Sequence, residues 1–163
     1  MTKRIAITGT TSGIGLETAK ALTEAGYEVI LLNRSTEKAE NAKAEMTRPD
    51  LACIIPCDLA DLTKVQEAAD TIKSDYGHLD GLINNAGGIF PERQESADGI
   101  ELTFAINHIG HFHLTNELIP LLKKGDQPRI INVSSEAHKS GNPNWDDVEY
   151  KQNYSSFKAY ADA

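Results

Sequence analysis

Cysteine and aromatic side chains are scarce: 163 residues hold two cysteines and one tryptophan, and Phe, Tyr and Trp together make 6%. Cys53 and Cys57 are too close for a stable disulfide framework, and the second pair that a structural zinc site would want is missing. Both thiols are therefore expected to be reduced and buried. Basic residues are outnumbered, 16 Lys and Arg against 24 Asp and Glu, giving a net charge of −8 and a pI near 5.1. That balance excludes the basic stripe with which a protein tracks a nucleic-acid backbone. No apolar run approaches membrane-spanning length, and the one after Met1-Thr2-Lys3-Arg4 stops at Thr8, too short for a signal peptide. The expectation is a cytoplasmic protein without a membrane segment or a nucleic-acid partner. Internal repeats and low-complexity tracts are also missing.

With 40% hydrophobic and 25% charged residues, the chain suits one globular domain with an ordinary core. Its most informative segment is Thr8-Gly9-Thr10-Thr11-Ser12-Gly13-Ile14-Gly15. Lys3 to Ile7 before it reads as a short buried strand. After it, Ile14, Thr18, Ala21, Leu22 and Ala25 recur at helical spacing up to Gly26, a helix stop. Glycines in a strand-to-helix turn let the backbone reverse at Gly9, approach phosphate closely at Gly13 and pack helix on strand at Gly15. The free N–H groups and dipole of the helix, with Thr11, Ser12 and Ile14 around them, then face an anion. This is the pattern of a turn that grips the pyrophosphate of a dinucleotide.

Strands and helices alternate beyond it, the sign of a parallel sheet covered on both faces. Strands are expected at Tyr27 to Leu32, Ala52 to Pro56, Gly81 to Asn84 and Arg129 to Val133. Ser35 or Thr36 should cap a helix running to about Met46. Asp61 should open another with Leu62, Val65, Ala69, Ile72 and Tyr76 on one face and Gly77 at its close. A polar loop from Pro91 to Gly99 leads into a long helix from about Ile100 to Leu122. Right-handed crossovers order the strands 3-2-1-4-5, a doubly wound Rossmann-type α/β sheet with its ligand at the carboxyl ends near the switch point.

A ribose 2′-hydroxyl is usually held by an acidic residue about twenty positions beyond the glycines. Asn33-Arg34 stands there instead, and the planar guanidinium of Arg34 suits a phosphate. NADP(H) is therefore expected over NAD(H). Asn107 falls inside the long helix, where an asparagine competes for backbone hydrogen bonds; a local bulge is expected there.

The glycine turn, Asp58-Leu59, Asn84-Asn85-Ala86-Gly87, Asn107 and Ser134-Ser135 together resemble the short-chain dehydrogenase/reductases. Asn107-His108-Ile109-Gly110-His111-Phe112, Val133 to His138 and Lys158-Ala159-Tyr160 look most like the branch around retinol dehydrogenases. The resemblance implies an oxidoreductase interconverting an alcohol and a carbonyl on a small-molecule substrate. It implies that Asp58 holds the adenine edge with the Leu59 backbone beside it, that Asn85, Ala86 and Gly87 line the cofactor, and that Asn107 assists a proton relay through water. Because the nicotinamide carries the hydride, the protein must handle one proton and one developing oxyanion. Ser135 matches the family's oxyanion donor, and a tyrosine whose pKa a neighbouring lysine draws down from about 10 would move the proton.

Two tyrosines compete for that role. Tyr154 satisfies Tyr-x-x-x-Lys literally with Lys158, whereas the Lys-Ala-Tyr segment of the resembled branch points to Tyr160, favoured here. The lysine partner of Tyr160 would be the residue after Ala163. The family also implies a further helix, at least one more strand and a substrate loop, so the 163 residues are expected to be an incomplete Rossmann domain, part of a longer chain that forms a homo-oligomer when intact. The alternative function is a dinucleotide-binding scaffold or sensor without turnover.

His108, His111 and His113 imitate a metal-ligand run, but on a helix His111 and His113 point about 160° apart, so surface or interface packing is expected and no metal. Trp145-Asp146-Asp147 with Glu149 could rim the substrate mouth or cover surface, and Gly88-Ile89-Phe90 could touch substrate or serve as loop packing.

Overall fold

Alternate strand residues face opposite sides of a sheet, and here both sides are apolar, so helices must cover both. In the computed structural model, which describes residues 2–163, β1 (Arg4–Thr8), β2 (Glu28–Asn33), β3 (Ala52–Pro56), β4 (Gly81–Asn84) and β5 (Arg129–Asn132) form one sheet. The order is β3-β2-β1-β4-β5, parallel throughout, with Ile7 beside Leu31 and Ile83. Ile7, Val29, Leu31 and Ile83 meet Leu16 and Ala19 of α1 (Gly13–Glu24) and Ala42 of α2 (Thr36–Ala44). Ala6, Ile30, Leu32 and Leu82 turn the other way, onto Val65 and Ile72 of α3 (Leu62–Asp75) and onto Leu114 and Leu118 of the helix that lies between β4 and β5. The Rossmann-type order read from the sequence is the order observed.

The caps follow from short polar side chains. Ser35 accepts from the Lys38 N–H at 3.3 Å, and Asp61 accepts from those of Thr63 and Lys64 at 2.9 and 3.2 Å. At the opposite end of the sheet from the glycine turn, buried Asp80 accepts from the backbone N–H groups of Arg4 and Asp126 at 2.8 and 2.7 Å, tying the starts of β1, β4 and β5 together.

Four expectations need correction. The buried face of α1 is Gly15, Leu16, Ala19 and Thr23, one position round from the face expected; Ile14 is 68% exposed. Gly15 sets that face: a Cβ there would stand 2.1 Å from the Gly9 carbonyl oxygen, so Gly15 lies against the turn and Leu16, Ala19 and Thr23 follow inward. Thr23 is tolerated because its hydroxyl donates to the Ala19 and Lys20 carbonyls. The long helix is three pieces, α4 (Leu102–Phe104), a π-helical segment (Ala105–Ile109) and α5 (Gly110–Leu122), entered through Glu101, whose carboxylate caps Thr103 and Phe104. Cys57 is buried and its thiol is pushed up to about 12 by burial and the neighbouring Asp58, but Cys53, on the outermost strand, is exposed. His111 is in the interior rather than at a surface, 6% exposed.

The remaining differences are of one or two residues at element ends: α2 stops at Ala44 and β5 at Asn132. β5 is the other outer strand, and Ile130 and Ile131 are about half exposed along it. Among the described residues, no helix is long and apolar enough to cross a membrane.

Candidate active site

The carboxyl ends of β1 and β4 are locked together by the protein's own hydrogen bonds. The Thr8 hydroxyl oxygen accepts from the backbone N–H groups of Asn85 and Ala86, both at 3.0 Å, while the Asn85 side-chain amide donates to the carbonyls of Thr8 and Gly9 at 2.9 and 3.0 Å. Gly9, at φ +72°, passes so close to Ala86 that a Cβ would come within 2.8 Å of its Cα. Asn33 clamps the same turn from β2: its Oδ1 accepts from the Thr10 N–H and its Nδ2 donates to the Thr10 hydroxyl, both at 2.7 Å.

The start of α1 is arranged differently. Gly13 has φ +58° with open space where a Cβ would stand, Ser12 makes no capping bond, and the first turn carries no acidic side chain. Uncapped N–H groups over open space fit an anion, and the open side at Gly13 leaves room for a pyrophosphate. Thr11 is half-buried, and Ser12 and Ile14 are exposed beside it. Arg34, just past β2, is exposed. Asp58 caps locally, accepting from the Ala60 N–H at 3.0 Å, and remains half-exposed; the Leu59 side chain is buried, with its backbone against Gly110.

The π-helical segment centres on Asn107, the bulge expected of that residue. Its Oδ1 accepts from the Gly88 N–H at 2.9 Å and its Nδ2 donates to the Gly88 carbonyl at 3.0 Å, so the segment is fastened to the loop after β4. One turn on, His111 bridges the Thr8 hydroxyl at 2.9 Å and the Asn107 carbonyl at 3.3 Å. His113 faces Gln66 at 3.1 Å and His108 stacks on Phe104, so the three histidines serve three separate contacts.

A cavity of about 650 Å³ opens at these strand ends, lined by Gly88, Ile89, Asn107, Ser135, His138 and Tyr160 among others. Ser135 follows β5 and starts a short 3-10 turn (Glu136–Ser140), its oxygen accepting from the Ala137 N–H at 3.2 Å. Tyr160 comes from α6 (Ser156–Asp162). Asn107, Ser135 and Tyr160, drawn from positions far apart in sequence, thus line one cavity. Tyr154 does not: its hydroxyl donates to the Phe90 carbonyl at 2.9 Å, and burial and the Glu101 charge push it above the ordinary tyrosine value. Ile89 lines the cavity while the Phe90 ring lies against Gly88. Trp145, 83% exposed, rims a separate hollow of about 210 Å³ with Phe104, His108, Val148 and Tyr150.

Thr8, Thr10 and His111 hold the site together, although sequence reasoning assigned the threonines no role and His111 only surface or interface packing. The available signals were two hydroxyls flanking Gly9 and a histidine one helical turn after an asparagine expected at a bulge.

A parallel sheet in this order, with a glycine turn at its switch point and a cavity at its carboxyl ends, defines a Rossmann-type α/β fold. The chain belongs to the short chain dehydrogenase family of oxidoreductases, which it matches over residues 3–159. It is 38% identical to human retinol dehydrogenase 13 over 162 residues and 37% identical to human polyprenol dehydrogenase over 166 residues, in each case covering 97% of this chain. It spans 49% and 50% of those two proteins, about half the length of the curated relatives it matches. An uncharacterised protein from Mycobacterium paratuberculosis superposes with a TM-score of 0.86 at 36% identity over 98% of this chain and 56% of that one. The Pseudomonas aeruginosa RhlG complex with NADP superposes with a TM-score of 0.76 at 27% identity, over 99% of this chain and 61% of that one.

Proposed function

We propose that this protein takes part in NADP(H)-dependent interconversion of an alcohol and a ketone or aldehyde, with Tyr160 as acid/base and Ser135 as oxyanion donor. The observation that carries this reading is the convergence of Asn107, Ser135 and Tyr160 on one cavity beside the Asn85-Ala86-Gly87 loop. A bound nicotinamide supplies or receives the hydride. The uncapped start of α1 holds the pyrophosphate, and the exposed guanidinium of Arg34 takes the 2′-phosphate while Asn33 fixes the turn through Thr10. Asp58 lies at the carboxyl end of β3, where an adenine edge would rest.

In the direction of reduction, the Ser135 hydroxyl donates to the substrate oxygen as charge develops on it, and the Tyr160 hydroxyl delivers the proton. In oxidation the same groups work in reverse. Asn107 fastens the loop after β4 beside the cavity and assists a water on the proton path. The matched retinol and polyprenol dehydrogenases support an alcohol as the substrate class, and the NADP bound to RhlG supports the cofactor.

Steady-state NADPH oxidation with a panel of aldehydes and ketones, run on the protein as its own cell produces it, tests this. Tyr160→Phe is expected to lower turnover at least about a hundredfold while leaving NADPH affinity in place, a size typical of general acid–base catalysis. Tyr154→Phe is expected to retain turnover. The reverse ranking moves the acid/base role to Tyr154, and NADPH binding without turnover on any carbonyl favours the scaffold reading.

A further inference from the structure

A hydroxyl group offers two lone pairs and one hydrogen, and at Thr8 all three are committed. The lone pairs receive the N–H groups of Asn85 and Ala86. The hydrogen has two acceptors in reach, His111 Nε2 at 2.9 Å and the Ile83 carbonyl at 3.5 Å, and the shorter contact is with the imidazole. Nε2 is then an acceptor, so the ring proton sits on Nδ1, where it meets the Asn107 carbonyl at 3.3 Å. The opposite tautomer would turn a nitrogen lone pair toward that carbonyl oxygen. An imidazolium would thrust a second hydrogen at an oxygen with no lone pair left. Burial, with a smaller contribution from His108, disfavours the charged form of His111, against the Asn107 carbonyl, which favours it.

We propose that His111 is a positioning residue: a neutral, Nδ1-protonated strut that sets the spacing between the turn after β1 and the Asn107 segment, so that occupancy of the turn is felt at the cavity wall. The strut runs from Thr8, which holds the Asn85-Ala86 loop, to Asn107, which holds Gly88. The link to occupancy rests on the reading above that the turn takes the dinucleotide; the tautomer does not.

Imidazole ¹⁵N correlation spectra of the unliganded protein at neutral pH test the tautomer directly. His111 is expected as the Nδ1–H form, and Thr8→Val is expected to shift its Nε2 resonance by removing the donor. Saturation with NADPH is expected to move the same resonance, and to move it less in Thr8→Val, where the strut is broken; a space-filling ring touched only by the ligand in the cavity would respond alike in both. His111→Asn keeps a donor for the Asn107 carbonyl but cannot reach Thr8, while His111→Gln reaches Thr8 but not both partners. Each is expected to weaken NADPH binding about three- to tenfold, the worth of one net hydrogen bond. An Nε2–H or charged ring overturns the proposal, as does a ring resonance unmoved by NADPH in protein that binds it. Variants that bind NADPH as wild type does, with only a lower melting temperature, overturn it too. Should wild type fail to bind NADPH, the dinucleotide reading falls and takes the link with it, while the ring spectrum still decides the tautomer; variants too unstable to titrate leave the wild-type spectra to decide.

Discussion

Asn107 and Gly88 exchange two hydrogen bonds, the Gly88 N–H to Oδ1 at 2.9 Å and Nδ2 to the Gly88 carbonyl at 3.0 Å, across eighteen intervening residues that include the polar loop. A carboxylate at this position keeps one acceptor but sets a second oxygen against the carbonyl. Asn107→Asp is therefore expected to destabilise the protein by about 1–3 kcal/mol in denaturant titration at pH 7, more than Asn107→Ala, which removes both bonds without repulsion. Equal stability of Asp and Ala variants would contradict the exchange.

Gly13 and Gly15 are separated by one residue and should respond oppositely to alanine. At Gly13 a methyl meets nothing within 4 Å, so Gly13→Ala is expected to fold, at a cost of roughly 1–2 kcal/mol for the positive φ. It is expected to lose NADPH affinity by at least about tenfold, because the methyl fills the space over the helix start that a pyrophosphate requires. At Gly15 the methyl would meet the Gly9 carbonyl oxygen at 2.1 Å and the Asn85 amide at 2.4 Å, both fixed by the turn, and Gly15→Ala is expected not to fold. Circular dichroism melts paired with NADPH titration distinguish the two.

Arg34→Ala is expected to weaken NADPH about ten- to a hundredfold and NADH hardly at all, the difference corresponding to one charge-assisted hydrogen bond set. Equal losses for the two nucleotides would remove the guanidinium from the 2′-phosphate.

Asp80 carries a pH dependence of known sign. Burial pushes its carboxyl up, but the N–H groups of Arg4 and Asp126 and the charges of His78 and Lys3 outweigh that and hold it below the ordinary aspartate value. The unfolded chain therefore takes up the proton first, so this contribution is fully present above the ordinary value near 3.9 and is lost as pH falls through the folded one. Urea midpoints measured from neutral pH down to about pH 3 are expected to drop in this acid limb for wild type and to drop less for Asp80→Asn. At neutral pH the variant should be less stable by about 1.5–3 kcal/mol. Parallel curves would show that Asp80 does not anchor the strands.

Much of the architecture was legible because two periodicities carry it: strands buried on both faces read as short apolar runs, and capped helices read as amphipathic. Ala52 to Pro56 and Gly81 to Asn84 were placed to the residue. The face of α1 was misread because hydropathy ranks Ile14 above Gly15, whereas backbone contact with Gly9 decides which of them is buried. The bulge at Asn107 was legible from the asparagine itself, but its extent was not, since the Gly88 partner lies beyond a loop. Cys53 showed the limit of strand logic: the order 3-2-1-4-5 already set its strand at the sheet edge, but an apolar run does not reveal which of its side chains an edge leaves uncovered. At the site, the candidate residues were proposed from their own chemistry, while Thr8 and Thr10 were assigned no role and His111 only packing; the bonds these three make exist only once β1, β4 and α5 stand side by side.

Isothermal titration of folded protein with NADPH tests the central claim most directly, since every proposed role depends on the glycine turn seating a dinucleotide. One-to-one association, weakened by Gly13→Ala, is the predicted result. No heat of binding and no competition with a fluorescent nucleotide, in protein with an intact melting transition, would contradict it.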